Sequence, residues 1–226
     1  MPSPSSTEIV PLFPLSNVVL FPQVHCPLHI FEARYRQMIN VALDGARRIG
    51  MTTVRPEHRA AIGGDPPLFT IGCLGDIQQA RRRDDGRYDI VLFGVRRFRI
   101  VEEIPRDSER LYRLARVELL DERFDAAREG IPLQGRRADA IELLTELLRY
   151  VAPDSAHELD PRRFSGIEDT AFVSGLCQML DLPPAEKQGL LEAEGPTARC
   201  ERLVAILQFR LAELRGGMPG PSGSLH

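Results

Sequence analysis

Along its first half the chain changes hydrophobic period twice. Residues 9–13 and 23–30 read as short extended segments, separated by the turn-forming FPLSN and FPQ. Prolines 11, 14, 22 and 27 break any helix here and suit irregular or edge strands. From Phe31 the spacing becomes helical. Phe31, Tyr35, Met38, Ile39 and Ala42 fall on one face, and Gly45 can end the helix. A strand is predicted over 49–54 and a loop over 55–67, followed by β-rich stretches over 68–80 and 88–95. RRRDDGR joins these two, and its Asp85-Gly86 pair predicts a type I′ hairpin turn. Strands over 98–104 and 111–120 complete the β-rich part.

Beyond residue 130 the period stays helical. Apolar residues at 141, 144, 148 and 151 mark one face of a helix over 133–151. A polar loop is predicted over 152–166. Phe172, Leu176, Met179 and Leu180 form the next stripe, and Pro183-Pro184 precedes a short helix, AEKQGLLEAE. Gly195-Pro196 opens the last helix, with Cys200, Leu203, Val204, Leu207, Leu211 and Leu214 along one side. The pattern predicts an α+β chain: a β domain over 8–122 with one early helix, then a helical bundle over 131–215. Residues 1–7 and 216–226 are expected to be disordered tails.

Charge and cysteine usage narrow the function classes. The formal net charge is −3. Residues 1–122 hold 17 arginines against 16 carboxylates, so the β-rich part lacks the strong positive excess of a dedicated nucleic-acid binder. Lys187 is the only lysine. No apolar run approaches the roughly 20 residues that span a bilayer, and MPSPSSTEIV has no basic or apolar leader region. Cys26, Cys73, Cys177 and Cys200 lie far apart, as reduced thiols of a cytoplasmic protein would.

Three stretches carry a resemblance to a known family. PLFPLSNVVLFPQVHCPLHIFEARYRQMI (11–39), DGRYDIVLFGVRRFRIVE (85–102) and LDLPPAEKQGLLE followed by ARCERLVAIL (180–192 and 198–207) resemble the N-terminal, substrate-recognition domain of Lon proteases. Spread over nearly the whole chain, they occur in the family's order. The resemblance implies a PUA-like β pseudo-barrel followed by a helical subdomain. It also implies a stand-alone bacterial protein that binds unfolded or extended polypeptide, is linked to proteolysis or protein quality control, and has a protease as a further partner.

The chemistry of Lon proper is not carried by these residues. A Walker A loop needs G-x-x-x-x-G-K-[ST], and Lys187 sits in PPAEKQ with no glycine loop before it. A serine–lysine dyad would need the same lysine, so no catalytic residue is assigned. No cofactor is expected and no metal site is assigned. His25 and His29 in HCPLH would stand about 13 Å apart on a strand rising about 3.3 Å per residue, too far to share one ion. Gly72-x-x-Gly75 inside a strand predicts close packing or a bulge.

Two binding surfaces follow. The apolar, proline-rich stretch 12–31 holds more large apolar residues than a half-buried strand pair needs, which points to peptide capture through Phe13, Leu20, Phe21, His29 and Phe31. The alternative is an RNA-binding PUA-like module using Arg81, Arg82, Arg83, Arg96, Arg97 and Arg99. Asp84-Asp85 directly after the first triplet, and Phe98 alternating with arginines, favour a solvated hairpin instead and make nucleic acid the weaker partner.

Overall fold

The computed structural model describes residues 7–122, 126–151 and 166–216. Apart from Thr7 and Gly216, the tails expected to be disordered lie outside these residues, as does nearly all of the loop expected at 152–166. The described chain forms two compact units: residues up to 122 together with 182–192, and the remaining helical residues.

The first unit is a six-stranded mixed sheet. In chain order its elements are β1 (Thr7–Leu15), β2 (His25–Ile30), α1 (Ala33–Asp44), β3 (Arg48–Thr53), a 3₁₀ helix (Pro56–Ala61), β4 (Ile71–Arg82), β5 (Tyr88–Ile104) and β6 (Arg113–Leu120). β1 runs parallel to β3, and the other pairings are antiparallel. Because β6 pairs with both β1 and β5, strands β1, β3, β4, β5 and β6 close into a ring. β2 hangs outside it on the first half of β5. This is the pseudo-barrel that the resemblance implies.

β5 explains the topology. Two strands were expected over 88–104, whereas the chain forms one strand of 17 residues. Its first half pairs with β2 and β4, and its second half with β4 and β6. Between the halves the register slips. Gly75 faces Gly94 while Leu74 faces Arg96, so Val95 is the extra residue of a bulge and is exposed. Gly94 also hands the sheet on to the segment before β2: Gln23 N–H donates to its carbonyl (2.7 Å) and its own N–H donates to Val24 O (2.9 Å). A Cβ on Gly94 would lie 2.0 Å from the Phe21 carbonyl oxygen. At Gly72 it would lie 2.5 Å from Met51 O and from the Phe98 ring, the close packing expected there. Inside the ring, Val10, Leu12, Leu74, Phe98, Ala115 and Val117 pack as a buried core. Each large side chain fully buried in this way is worth about 1.5–3 kcal/mol.

Three local expectations need correction. Asp85 keeps a negative φ and only Gly86 (φ 80) is left-handed, so the hairpin is not type I′. It is a type I turn closed by a left-handed glycine: Gly86 N–H bonds Arg83 O, Arg83 N–H bonds Arg87 O, and the Asp85 carboxylate holds Arg87 N–H. Phe31 does not open the helical stripe. Glu32 is the N-cap, and the buried face of α1 is Tyr35, Met38, Ile39 and Ala42. In the helical unit, α2 (Ala126–Val151) begins seven residues before Leu133 and contains Pro132, a residue whose usual helix-interior cost points to a later start.

The helical unit consists of α2, α3 (Asp169–Met179) and α5 (Gly195–Arg215). Arg137 of α2 lies over the Phe172 ring (4.1 Å) and bonds Asp169 (2.6 Å), joining α2 to α3. Cys200, Leu203, Val204, Leu207 and Leu211 form the buried stripe of α5, whereas Leu214, Val151 and Met179 are exposed. Between these helices in sequence, α4 (Pro184–Glu192) groups with the sheet. Gln188 Nε2 donates to Ile71 O (2.9 Å), and the Arg97 guanidinium donates to Leu191 O (3.2 Å). From the sequence pattern alone this helix belongs to the bundle over 131–215.

Gly94→Ala tests the crowding on β5. Backbone cannot yield as a flexible side chain does, so the substitution is expected to destabilise by about 1–3 kcal/mol, read from the midpoint of urea unfolding.

Candidate functional site

β2 is the exposed margin of the sheet, and its alternation gives it a buried and an outward face. Cys26 and Ile30 are buried and Leu28 is half-buried, whereas His25, Pro27 and His29 face outward. The Gly94–Val24 bond fixes the phase of the ladder. Residues 26, 28 and 30 turn their amides to β5, and 25, 27 and 29 turn theirs to the open edge. Pro27, lacking an N–H, sits where no ladder bond to β5 is lost, as an edge-strand proline should.

The rows across β2, β5 and β4 are fixed by register. His29 faces Asp89, which faces Arg81; Pro27 faces Val91, which faces Gln79. These six residues line an open depression of about 620 Å³. Asp89 organises one end. His29 Nδ1–H donates to its Oδ1 (2.7 Å), since a carboxylate can only accept, and Arg83 Nε–H reaches its Oδ2 (3.1 Å). The His29 hydrogen bond, with the Arg83 guanidinium beside it, holds the Asp89 carboxyl below its ordinary value of 3.8. Phe31 is 59% exposed and stacks against the His29 ring at 6.3 Å. At the other end of β2, His25 lies 2.9 Å from Gln78 Oε1 and against the Phe93 ring.

The expected peptide-binding residues therefore separate. His29 and Phe31 come together on the surface. Phe13 packs edge-on against Tyr35 (4.6 Å) in the interior, and Leu20 and Phe21 are buried, Leu20 close to Gly75 and Phe21 over Gly94. The arginines separate as well. Arg97 is only 4% exposed and binds Glu122 at 2.6 Å and the carbonyl at the end of α4. Arg83, Arg96 and Arg99 pair with Asp89, Asp121 and Glu118. Arg81 and Arg82 are exposed on opposite faces of β4. His25 and His29 serve different partners, and among the described residues no cluster of three or more His, Cys, Asp or Glu could hold a metal. All four cysteines are free and buried, and burial pushes the Cys200 thiol up to about 12. No described helix is long and apolar enough to cross a membrane.

Residues 9–208 match the family described as the ATP-dependent protease La (LON) substrate-binding domain. The chain belongs to that family. Among LON relatives, it is 26% identical over 210 residues to the Lon protease of Desulfosudis oleivorans, covering 93% of this chain and 25% of that one. It is 28% identical over 209 residues to Lon protease 3 of Sorangium cellulosum, covering 90% and 24%. The chain thus spans about a quarter of the length of these relatives. Two solved structures share the LON fold. A Lon N-terminal domain protein from Xanthomonas campestris gives a TM-score of 0.57 at 23% identity over 88% of this chain and 98% of that one. The N-terminal domain of a Mycobacterium avium complex Lon protease gives 0.63 at 18% identity over 89% and 98%.

Asp89 was missed as the partner of His29, and Gln79 as a residue lining the same depression as Arg81. The hairpin centred on Asp85-Gly86 already set Arg81 opposite Asp89. The pairing of β2 with β5, about 60 residues apart in sequence, carried no local signal.

Two measurements check this description. In His29→Gln the Asp89 carboxyl is expected to titrate closer to 3.8, followed by carbon-detected NMR. Arg97→Met, which strands a buried carbonyl, is expected to cost about 1–3 kcal/mol in urea unfolding, whereas Arg82→Gln should stay within about 0.5 kcal/mol.

Proposed function

We propose that the chain is a non-catalytic module that binds unfolded or extended polypeptide on the outward face and open edge of β2, with His29 and Phe31 as contact residues. Exposure of Phe31 beside His29 carries the reading. The exposed ring stacks on His29 directly beyond the end of an edge strand, where an extended ligand could combine main-chain hydrogen bonds with an apolar contact. Family membership supports the same class of ligand, because the family is described as substrate-binding. Phe13, Leu20 and Phe21 enter this reading as the packed support beneath the strand rather than as first contacts. The sequence has no Walker A pattern and a single lysine, in keeping with capture rather than turnover. Action in the cytoplasm, alongside a protease that consumes the captured chains, completes the proposal. The domain division 8–122 and 131–215 is kept, with α4 contributing to the first unit.

The RNA reading is less well supported: four of its six arginines have carboxylate partners within the sheet unit. The test is a fluorescence-anisotropy titration with a labelled, reduced and alkylated unfolded polypeptide and a labelled single-stranded RNA, each at low and moderate salt. Saturable polypeptide binding with little salt dependence is expected. Phe31→Ala should weaken it by about 1 kcal/mol or more, roughly fivefold to tenfold in Kd. Absence of binding up to about millimolar polypeptide, or RNA binding that collapses with salt, would overturn the assignment.

A further inference from the structure

The depression beside His29 is asymmetric in charge. Asp89 is its only carboxylate, and both oxygens are engaged, one by His29 and the other by Arg83. Arg81 stands next to Asp89 in the same row, on the same face as Arg83, with no hydrogen bond or ion pair of its own among the described residues. Two guanidiniums therefore share one carboxylate, and the second projects over a floor whose neighbouring row is Pro27 and Val91. An apolar patch with a guanidinium at one side, next to Asp89 but holding no hydrogen bond to it, suits a ligand group with the opposite arrangement.

Resting on the polypeptide-binding reading, we infer that this depression selects extended segments carrying an acidic side chain two residues from an apolar one. The apolar side chain covers Pro27 and Val91, and the carboxylate meets the Arg81 guanidinium. The spacing follows from the sheet. Val91 and Arg81 are one strand and two residues apart, about 8 Å when strands lie about 4.8 Å apart and rise about 3.4 Å per residue. On an extended ligand, side chains two residues apart share a face and stand about 6.8 Å from each other, and the reach of the arginine closes the remainder. Adjacent apolar and acidic residues would point to opposite faces and cannot engage both parts. Arginine fits the role because its planar fork pairs with a carboxylate through two parallel bonds. A phosphate backbone is the weaker match, because Asp84, Asp85 and Asp89 are interleaved with the same arginines.

The test uses three labelled nine-residue peptides on a serine–glycine background, containing Leu-Ser-Glu, Leu-Ser-Gln or Leu-Glu-Ser, titrated into the full chain at low salt. Leu-Ser-Glu is expected to bind about three- to fivefold more tightly than the other two, the scale of one exposed ion pair. Arg81→Gln should abolish that advantage and leave the Leu-Ser-Gln affinity unchanged. Arg82→Gln, on the opposite face, should alter nothing. Equal affinity for all three peptides would overturn the carboxylate subsite while leaving polypeptide capture standing. Failure of every peptide and of the unfolded polypeptide would overturn both. Displacement of Leu-Ser-Glu by a short single-stranded RNA, lost in Arg81→Gln, would assign the arginine to phosphate and overturn the inference.

Discussion

One bend in one strand governs the sheet unit. β5 is hydrogen-bonded along its length to three other strands, and it can serve all three only because its ladder slips at Gly94–Val95. Ahead of the slip it carries β2 outward; beyond it, β6 closes the ring. The Phe21 carbonyl packs so closely on Gly94 that no side chain fits there. Placement of β2, and with it the outward row of His25, Pro27 and His29, follows from that crowded point.

Arginine fixes much of the rest. Arg97 joins β5 to Glu122 and to the last turn of α4. Arg34 joins Glu32 to the carbonyls of Ile62 and Gly64. Arg113 joins Glu103 to Pro66 O. Each uses several donors of one guanidinium on partners in different segments, which a lysine ammonium on a flexible stem does less well. The cationic appearance of the β-rich sequence is therefore largely internal bonding, and the small remainder near Arg81 stands out for that reason.

Much of this was legible from period and punctuation. Helix α1, the hairpin near Gly86, the glycine crowding at Gly72 and the division into β-rich and helical parts all rest on local rules. Non-local pairing was less legible. Phe13, Leu20 and Phe21 look as apolar as Phe31, and only tertiary packing decides that three of them turn inward and one does not. The six arginines are likewise alike in sequence, but the carboxylate partners of four of them lie up to 25 residues away. The turn at Asp85-Gly86 was placed correctly and typed wrongly, because the same dipeptide serves a type I turn with a left-handed glycine.

The position of α4 has a consequence for synthesis. The sheet unit ends at Glu122 and resumes at Leu182, with α2 and α3 in between. A nascent chain that has released all six strands still lacks the helix that accepts from Arg97 and whose Gln188 donates to Ile71 O. Ribosomes add about 5–20 residues per second, so those missing residues leave a pause of several seconds during which Arg97 has no helix end to bond. Vectorial folding alone cannot finish this unit, and the strands must remain soluble and unaggregated until Glu192 has emerged.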